Sequence, residues 1–279
     1  MADYKAEFIK IPIDPANGFQ THPVEPQARL PDTEITVSLC TPADAPRIAA
    51  GLYTCFPDSW WANKEPLEQR DPDQSVRERR LATRILPTFH NPHMKWVKAV
   101  HSPSGQIAGV AGWAAPGMDV YTVLRRSAVE YYGYKELMGW SDEDVEEMWK
   151  GTSIQGWDGF LGDADKIRQG MMGEEPHWYL APILTWPEFQ GKGVGSKLMK
   201  WAIEQADAQE PPTPMYLESR PTARAVYMHY GFVPQGDYNF LRRGPKVVRG
   251  LEAEGDDESG VKKADVKVVE KETDAARIS

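Results

Sequence analysis

At 279 residues, 41% of them hydrophobic, the chain has room for one large domain or two small ones with a substantial core. A net charge of −9 argues against the basic face that broad nucleic-acid binding requires, and no apolar run reaches the length of a membrane span. Two cysteines, Cys40 and Cys55, are too few for a disulfide framework or a metal cluster and read as free core thiols in a reducing compartment. The start, Met1 to Lys10, lacks the apolar core of a secretory signal, and Arg277-Ile278-Ser279 is not the usual peroxisomal address. The expected compartment is the cytoplasm, with the nucleus also open.

In chain order, residues 1–34 are proline-rich and read as an extended arm. Ile35-Thr36-Val37-Ser38-Leu39 alternates like a half-buried strand, and after Pro42 one helical face is marked by Ala45, Ile48, Ala49, Leu52 and Tyr53. Phe56 to Trp61 reads as an aromatic loop. Ser75-Val76-Arg77-Glu78 has the pattern of a capping box that opens a helix carrying Leu81, Ile85 and Phe89. Met94–His101 and Ile107–Ala115 read as a hairpin around the turn Ser102-Pro103-Ser104-Gly105. The segment 116–176 is aromatic and mostly helical, with one start at Ser141-Asp142-Glu143-Asp144.

The short apolar run Tyr179 to Leu184 follows, then three glycines at alternate positions, Gly191, Gly193 and Gly195. Leu198, Met199, Ala202, Ile203 and Ala206 then recur at helical spacing. Strand, glycine turn and helix in this order expose backbone N–H groups at the positive end of a helix, where an anion such as phosphate is favoured. Gly193 and Gly195 keep side chains away from a ligand and permit positive φ. Met215–Glu218 reads as a strand, Thr222–Tyr230 as a short helix stopped by Gly231, and a last strand pair runs from Phe232 to about Leu241. Residues 247–279 are charged and apolar-poor and read as a largely disordered tail, with Val266, Val268 and Val269 as the one strand-like patch. The mixture of strands and helices indicates an α/β domain with a mostly antiparallel sheet over 35–246.

Two segments carry a family resemblance. Gln190-Gly191-Lys192-Gly193-Val194-Gly195 fits the Q/R-x-x-G-x-G/A signature of the GNAT superfamily of acyl-CoA N-acyltransferases. Ala223-Arg224-Ala225-Val226-Tyr227-Met228-His229-Tyr230-Gly231-Phe232 resembles that family's A-x-x-x-Y-x-x-x-G-F segment. The two stand in the family's order with a strand between them, and the likeness is close over 177–235 and loose over the rest of 35–245. It implies an α/β (α+β) fold with a mixed, mostly antiparallel twisted sheet and flanking helices. The helical segment 116–176 is then an insert between the third and fourth strands.

The resemblance also implies the chemistry. Acetyl-CoA is the expected cosubstrate, with no metal. Its pyrophosphate would lie on the backbone donors of Gln190, Gly191, Lys192, Gly193, Val194, Gly195 and Ser196, and its pantetheine arm beside Leu184 and Thr185 where two strands splay apart. Ser219 would bond the coenzyme. Tyr227 matches the tyrosine that gives a proton to the departing thiolate, and Glu218 is the candidate base, acting directly or through water. His177 reads as a structural histidine, and Trp186 and Phe189 as core. Trp60, Trp61 and the aromatic insert are the expected lid or pocket wall.

The expected function is N-acetylation of a small-molecule amine by direct attack. Nucleic acid and membrane are not expected partners, and monomer and homodimer are both open. The competing readings are a protein or peptide N-acetyltransferase and a non-catalytic CoA-binding protein of the same fold. A dinucleotide-dependent oxidoreductase would need an acidic residue at a strand end about twenty positions after the turn. Glu210 has that spacing, but a proline-rich loop follows it.

Overall fold

The computed structural model describes residues 7–12, 29–219 and 223–251. The chain divides into two compact units, one built on Met1–Gln27, Trp178–Leu180 and Ile203–Ser279, the other on Ala28–His177 and Ala181–Ala202. β1 (Glu7–Pro12) belongs to the first unit, where it pairs in parallel with Lys246–Leu251 in register from Glu7↔Lys246 to Pro12↔Leu251.

The second unit begins with β2 (Ile35–Leu39) and α1 (Ala45–Cys55), whose expected apolar face, Ala45, Ile48, Ala49, Leu52 and Tyr53, is buried. The segment expected as an aromatic loop is helical from Asp58 onward, forming α2 (Asp58–Lys64). Seven residues make fewer than two turns, so this helix owes its existence to packing rather than to local propensity. α3 (Gln74–Ile85) is capped differently from expectation. Asp73 accepts the Ser75 N–H at 2.9 Å, and Glu78 takes a bond from Gln74 instead of completing a box with Ser75. An aspartate placed two residues earlier is an equally good cap and occupies the position first. Between these helices Glu65 is buried, with Tyr53 Oη at 2.5 Å, Arg77 at 3.3 Å and Arg84 at 3.7 Å, the set of partners that a desolvated carboxylate requires.

β3 (Met94–His101) and β4 (Gln106–Ala114) form the expected hairpin, and β2 adds to it antiparallel. The insert contains α4 (Ala128–Tyr131), α5 (Tyr134–Met138), α6 (Asp142–Met148) and a π turn, Gln155–Gly159, that runs into α7 (Phe160–Met172). Ser141 and Asp144 cap α6 reciprocally.

The aromatic residues of α2 and the insert pack on one another. Trp157 lies 5.8 Å from Trp60 and 5.7 Å from Trp149, edge to face, and Trp61 stacks on Tyr53 at 3.8 Å. Lys64, only 1% exposed, fills the middle. Its Nζ is 3.9 Å from the Phe160 centroid and 4.2 Å from that of Trp60, and it donates to the Gly156 carbonyl at 3.2 Å. Burial pulls this ammonium down to about 7, while the ring faces and the carbonyl favour its charged form. Trp60, Trp157 and Phe160 therefore surround the protein's own Lys64 ammonium. Gly156 is what permits the approach: a Cβ there would stand 1.9 Å from the Asn63 carbonyl oxygen, a backbone atom. Gly156→Ala is expected to destabilise the protein by about 3 kcal/mol, read as a lower urea midpoint, with loss of tryptophan burial in fluorescence.

β5 (Trp178–Thr185) gives Trp178–Leu180 to the first unit and Ala181–Thr185 to the second. After it come α8 (Val194–Asp207), β6 (Met215–Glu218), α9 (Arg224–His229), β7 (Val233–Gln235), β8 (Asn239–Arg242) and β9 (Lys246–Leu251). Hydrogen-bond neighbours in the seven-stranded sheet run β2-β3-β4-β5-β6-β8-β7. β5 and β6 are parallel, while β2–β3, β3–β4, β6–β8 and β7–β8 are antiparallel, so the mixed, mostly antiparallel α/β architecture expected from the sequence is present. In the first unit Arg242 grips both carboxylate oxygens of Asp207, at 2.6 and 2.7 Å, and donates to the Tyr230 carbonyl at 2.7 Å. The segment expected to begin a solvated tail at 247 starts as strand β9; residues 252–279, with Val266, Val268 and Val269, lie outside the described residues, as does most of the arm.

Candidate active site

The second unit builds the glycine turn. Ala108 accepts the Trp186 N–H at 3.0 Å, and Gly112 lies against the Ala181 carbonyl, so β4 and the later part of β5 run antiparallel. Backbone groups alternate sides along a strand, so Thr185 presents its carbonyl to the edge away from β4. There it accepts from Gln190 Nε2 at 3.0 Å and from Cys55 Sγ at 3.4 Å. Trp186 and Phe189 are buried, as expected of core residues, and Pro187–Phe189 makes one 3-10 turn between them. Leu184 is buried in β5, and Thr185, its last residue, is half-buried.

Beyond Phe189 the chain turns on Gly191, φ 72°, and Gly193, φ 86°, a region that only glycine enters without strain. Gly195 differs from expectation. It lies inside α8 and is absent from the positive-φ glycines, so what it contributes is space: the nearest atom to a Cβ there would be Thr185 Oγ1 at 3.8 Å. The α8 ladder opens with the Lys197 N–H donating to the Gly193 carbonyl at 3.3 Å, which places the N–H groups of Gly193, Val194, Gly195 and Ser196 ahead of it. Two N–H groups of the turn are spent internally, that of Gln190 on Pro187 and that of Lys192 on Phe189. The turn is further tied by Leu30 N–H to the Lys192 carbonyl at 3.2 Å and by Lys197 to Asp32 at 2.7 Å. The Lys197 ammonium holds the Asp32 carboxyl below its ordinary range. Lys192 is half-buried, with its Nζ 5.9 Å from the Phe189 ring centroid.

Glu218, Ser219 and Tyr227 belong to the first unit. Parallel pairing of β5 with β6 stops at Leu180↔Leu217, one residue before β6 ends at Glu218. On its other side Glu218 stands opposite Asn239 of β8. Ser219 is buried, and its N–H donates to the Tyr238 carbonyl at 2.7 Å. Tyr227, on α9, packs its ring on Phe232 and Phe240, both with centroids 6.1 Å away. Burial pushes the phenol up to about 12, so it stays protonated through the physiological range. Gly231, with φ 84°, ends this helix region as expected.

His177 fits its expected structural role. Its Nδ1 lies 2.7 Å from the Glu175 carbonyl, and burial lowers its pKa, which holds the ring neutral. Among the described residues no group of His, Cys, Asp and Glu is arranged to hold a metal ion, and no helix is long and apolar enough to cross a membrane. One group of residues beside the turn escapes a motif-based reading: Arg47 and Cys55 on α1. Their spacing, with Gly51 between, is the only sequence signal they give.

Residues 158–249 match the family model described as the Acetyltransferase (GNAT) domain. No curated protein matches the chain. Among solved structures, one described as histone acetyltransferase HPA2 and related acetyltransferase, from Corynebacterium glutamicum, is similar at 24% identity over 77% of this chain and 98% of its own, with a TM-score of 0.49. A Drosophila melanogaster polyamine N acetyltransferase is similar at 12% identity over 75% of this chain and 99% of its own, with a TM-score of 0.45. A GNAT family acetyltransferase from Brucella melitensis, solved with acetyl-CoA, is similar at 13% identity over 78% and 93%, with a TM-score of 0.37. The matched segment contains both the glycine turn and the tyrosine segment, so over residues 158–249 the chain is similar to the GNAT acetyltransferase domain.

Proposed function

We propose that the protein transfers the acetyl group of acetyl-CoA to a small-molecule amine by direct attack. The observation that carries this reading is the turn at the head of α8, where the N–H groups of residues 193–196 precede the helical ladder on a backbone bent at Gly191 and Gly193. Such donors with the helix dipole behind them suit the pyrophosphate of a coenzyme. The pantetheine arm is read as running beside Leu184 and Thr185.

An amine attacks only when neutral, so its proton must leave, and the thiolate that departs must gain one. Glu218 at the end of β6 is assigned the first task, directly or through water, and Tyr227 the second. A phenol raised to about 12 by burial is still protonated when the thiolate forms. Ser219 is assigned to the coenzyme.

The test is an acceptor screen with labelled acetyl-CoA across small amines, amino acids, polyamines and peptides. Transfer to one class of small amine is expected. Labelling confined to peptides would overturn the acceptor class, and silence alongside intact coenzyme binding would make the chain a non-catalytic CoA-binding protein.

A further inference from the structure

Arg47, Gly51 and Cys55 are spaced four residues apart on α1, so they form one stripe along the helix. All three meet the junction between β5 and the glycine turn. The Arg47 guanidinium lies over the Trp186 ring, 4.0 Å from its centroid, and donates to the Ile107 carbonyl at 3.4 Å. Gly51 takes the other contact with that indole: a Cβ there would be 2.6 Å from Trp186 Cζ2 and 3.0 Å from Leu184 Cδ1. Cys55 donates its thiol proton to the Thr185 carbonyl, which also receives the Gln190 amide.

We infer that this α1 stripe, with Gln190, positions the glycine turn against β5 and so fixes where the N–H groups of residues 193–196 point. The Thr185 carbonyl faces the edge away from β4, and two donors from different elements hold it there. One comes from α1, and the other from the first residue of the glycine signature. Gln190 acts here through its side chain as a clamp on β5, since its own N–H is already spent on Pro187. Cys55 is suited to donate because burial, followed by the nearby Glu188 carboxylate, pushes its thiol up to about 11 and keeps it protonated. Cys55 and Gln190 are thus positioning residues, not groups that touch a reacting atom. The coenzyme half of this inference rests on the acyl-CoA reading of the turn.

The experiment combines amide hydrogen exchange of the protein without coenzyme and calorimetric titration with CoA, on wild type, Cys55→Ala, Cys55→Ser, Gln190→Leu and the Cys55→Ala/Gln190→Leu double variant. In the double variant the amides of residues 190–196 are expected to exchange about tenfold faster, and the CoA dissociation constant to rise about tenfold. Each single variant leaves Thr185 one donor, so the double effect should exceed the sum of the singles in free energy. Cys55→Ser restores a donor and should return both readouts most of the way to wild type. Unchanged exchange at 190–196 overturns the inference. So does faster exchange spread evenly over α1 and β5 that serine does not rescue, since that is general destabilisation. If the wild type fails to bind CoA, the acyl-CoA reading falls, and the exchange pattern still decides for or against the clamp.

Discussion

Gly193→Val should cost at least a hundredfold in acetyl-CoA affinity while the protein stays folded. Two effects add. Valine at φ 86° occupies a region closed to β-branched residues, a strain of about 1–3 kcal/mol. Relief of that strain would swing the 193–196 N–H groups off their common direction, and each hydrogen bond to a charged group is worth about 1.5–3 kcal/mol. Losing one or two such bonds already reaches a hundredfold. Space in the free protein is not the obstacle, because the nearest atom to a Cβ would be Arg29 Cγ at 3.5 Å, an ordinary contact on a flexible side chain. Gly191→Ala is the matched control. It meets nothing within 4 Å and shares the positive φ, so it should cost about 1 kcal/mol of stability and less than about tenfold in affinity. Calorimetric titration and a thermal melt on both variants make the comparison. Wild-type affinity in Gly193→Val would remove the turn as the coenzyme site.

Tyr227→Phe should lower the maximal rate by about a hundredfold or more, the range that a positioned general acid supplies. It should leave acetyl-CoA affinity nearly unchanged and stability within about 1 kcal/mol, because the ring contacts with Phe232 and Phe240 survive. The pH dependence follows from the direction of the shift. An acid works in its protonated form, and burial raises this phenol to about 12, so the rate should hold through pH 10 where an ordinary tyrosine would be half ionised. Rates measured from pH 6 to 11 with a saturating acceptor amine give both results. A variant as fast as wild type would take Tyr227 out of the acid role and leave it as a packing residue under the sheet.

Much of the framework was legible locally. β2 falls on the segment that alternation marks, and β3 and β6 on the segments read as strands. The α1 face is legible for the matching helical reason. The glycine turn was legible because positive φ singles out one residue type, although the assignment went to Gly193 and Gly195 where the backbone uses Gly191 and Gly193. Gly195 shows why: a glycine kept for space and a glycine kept for φ are written with the same letter. α2 was not legible, because a helix of under two turns is held by Tyr53, Trp157 and the π turn and not by its own sequence. The β1–β9 pair was hidden for a similar reason, as each strand finds its partner at the opposite end of the chain.

The sequence by itself determined the glycine turn and the order of the strands and helices around it, because each is written in residue types that backbone geometry demands over a few neighbouring positions. Only the tertiary structure decided what the tryptophans and the two donors to Thr185 do. Packing set Trp60, Trp157 and Phe160 around the Lys64 ammonium. It also made Cys55, expected as a free core thiol, a donor at the edge of the turn. Both outcomes depend on which surfaces meet after folding, and a contact between residues 130 positions apart leaves no periodicity behind it.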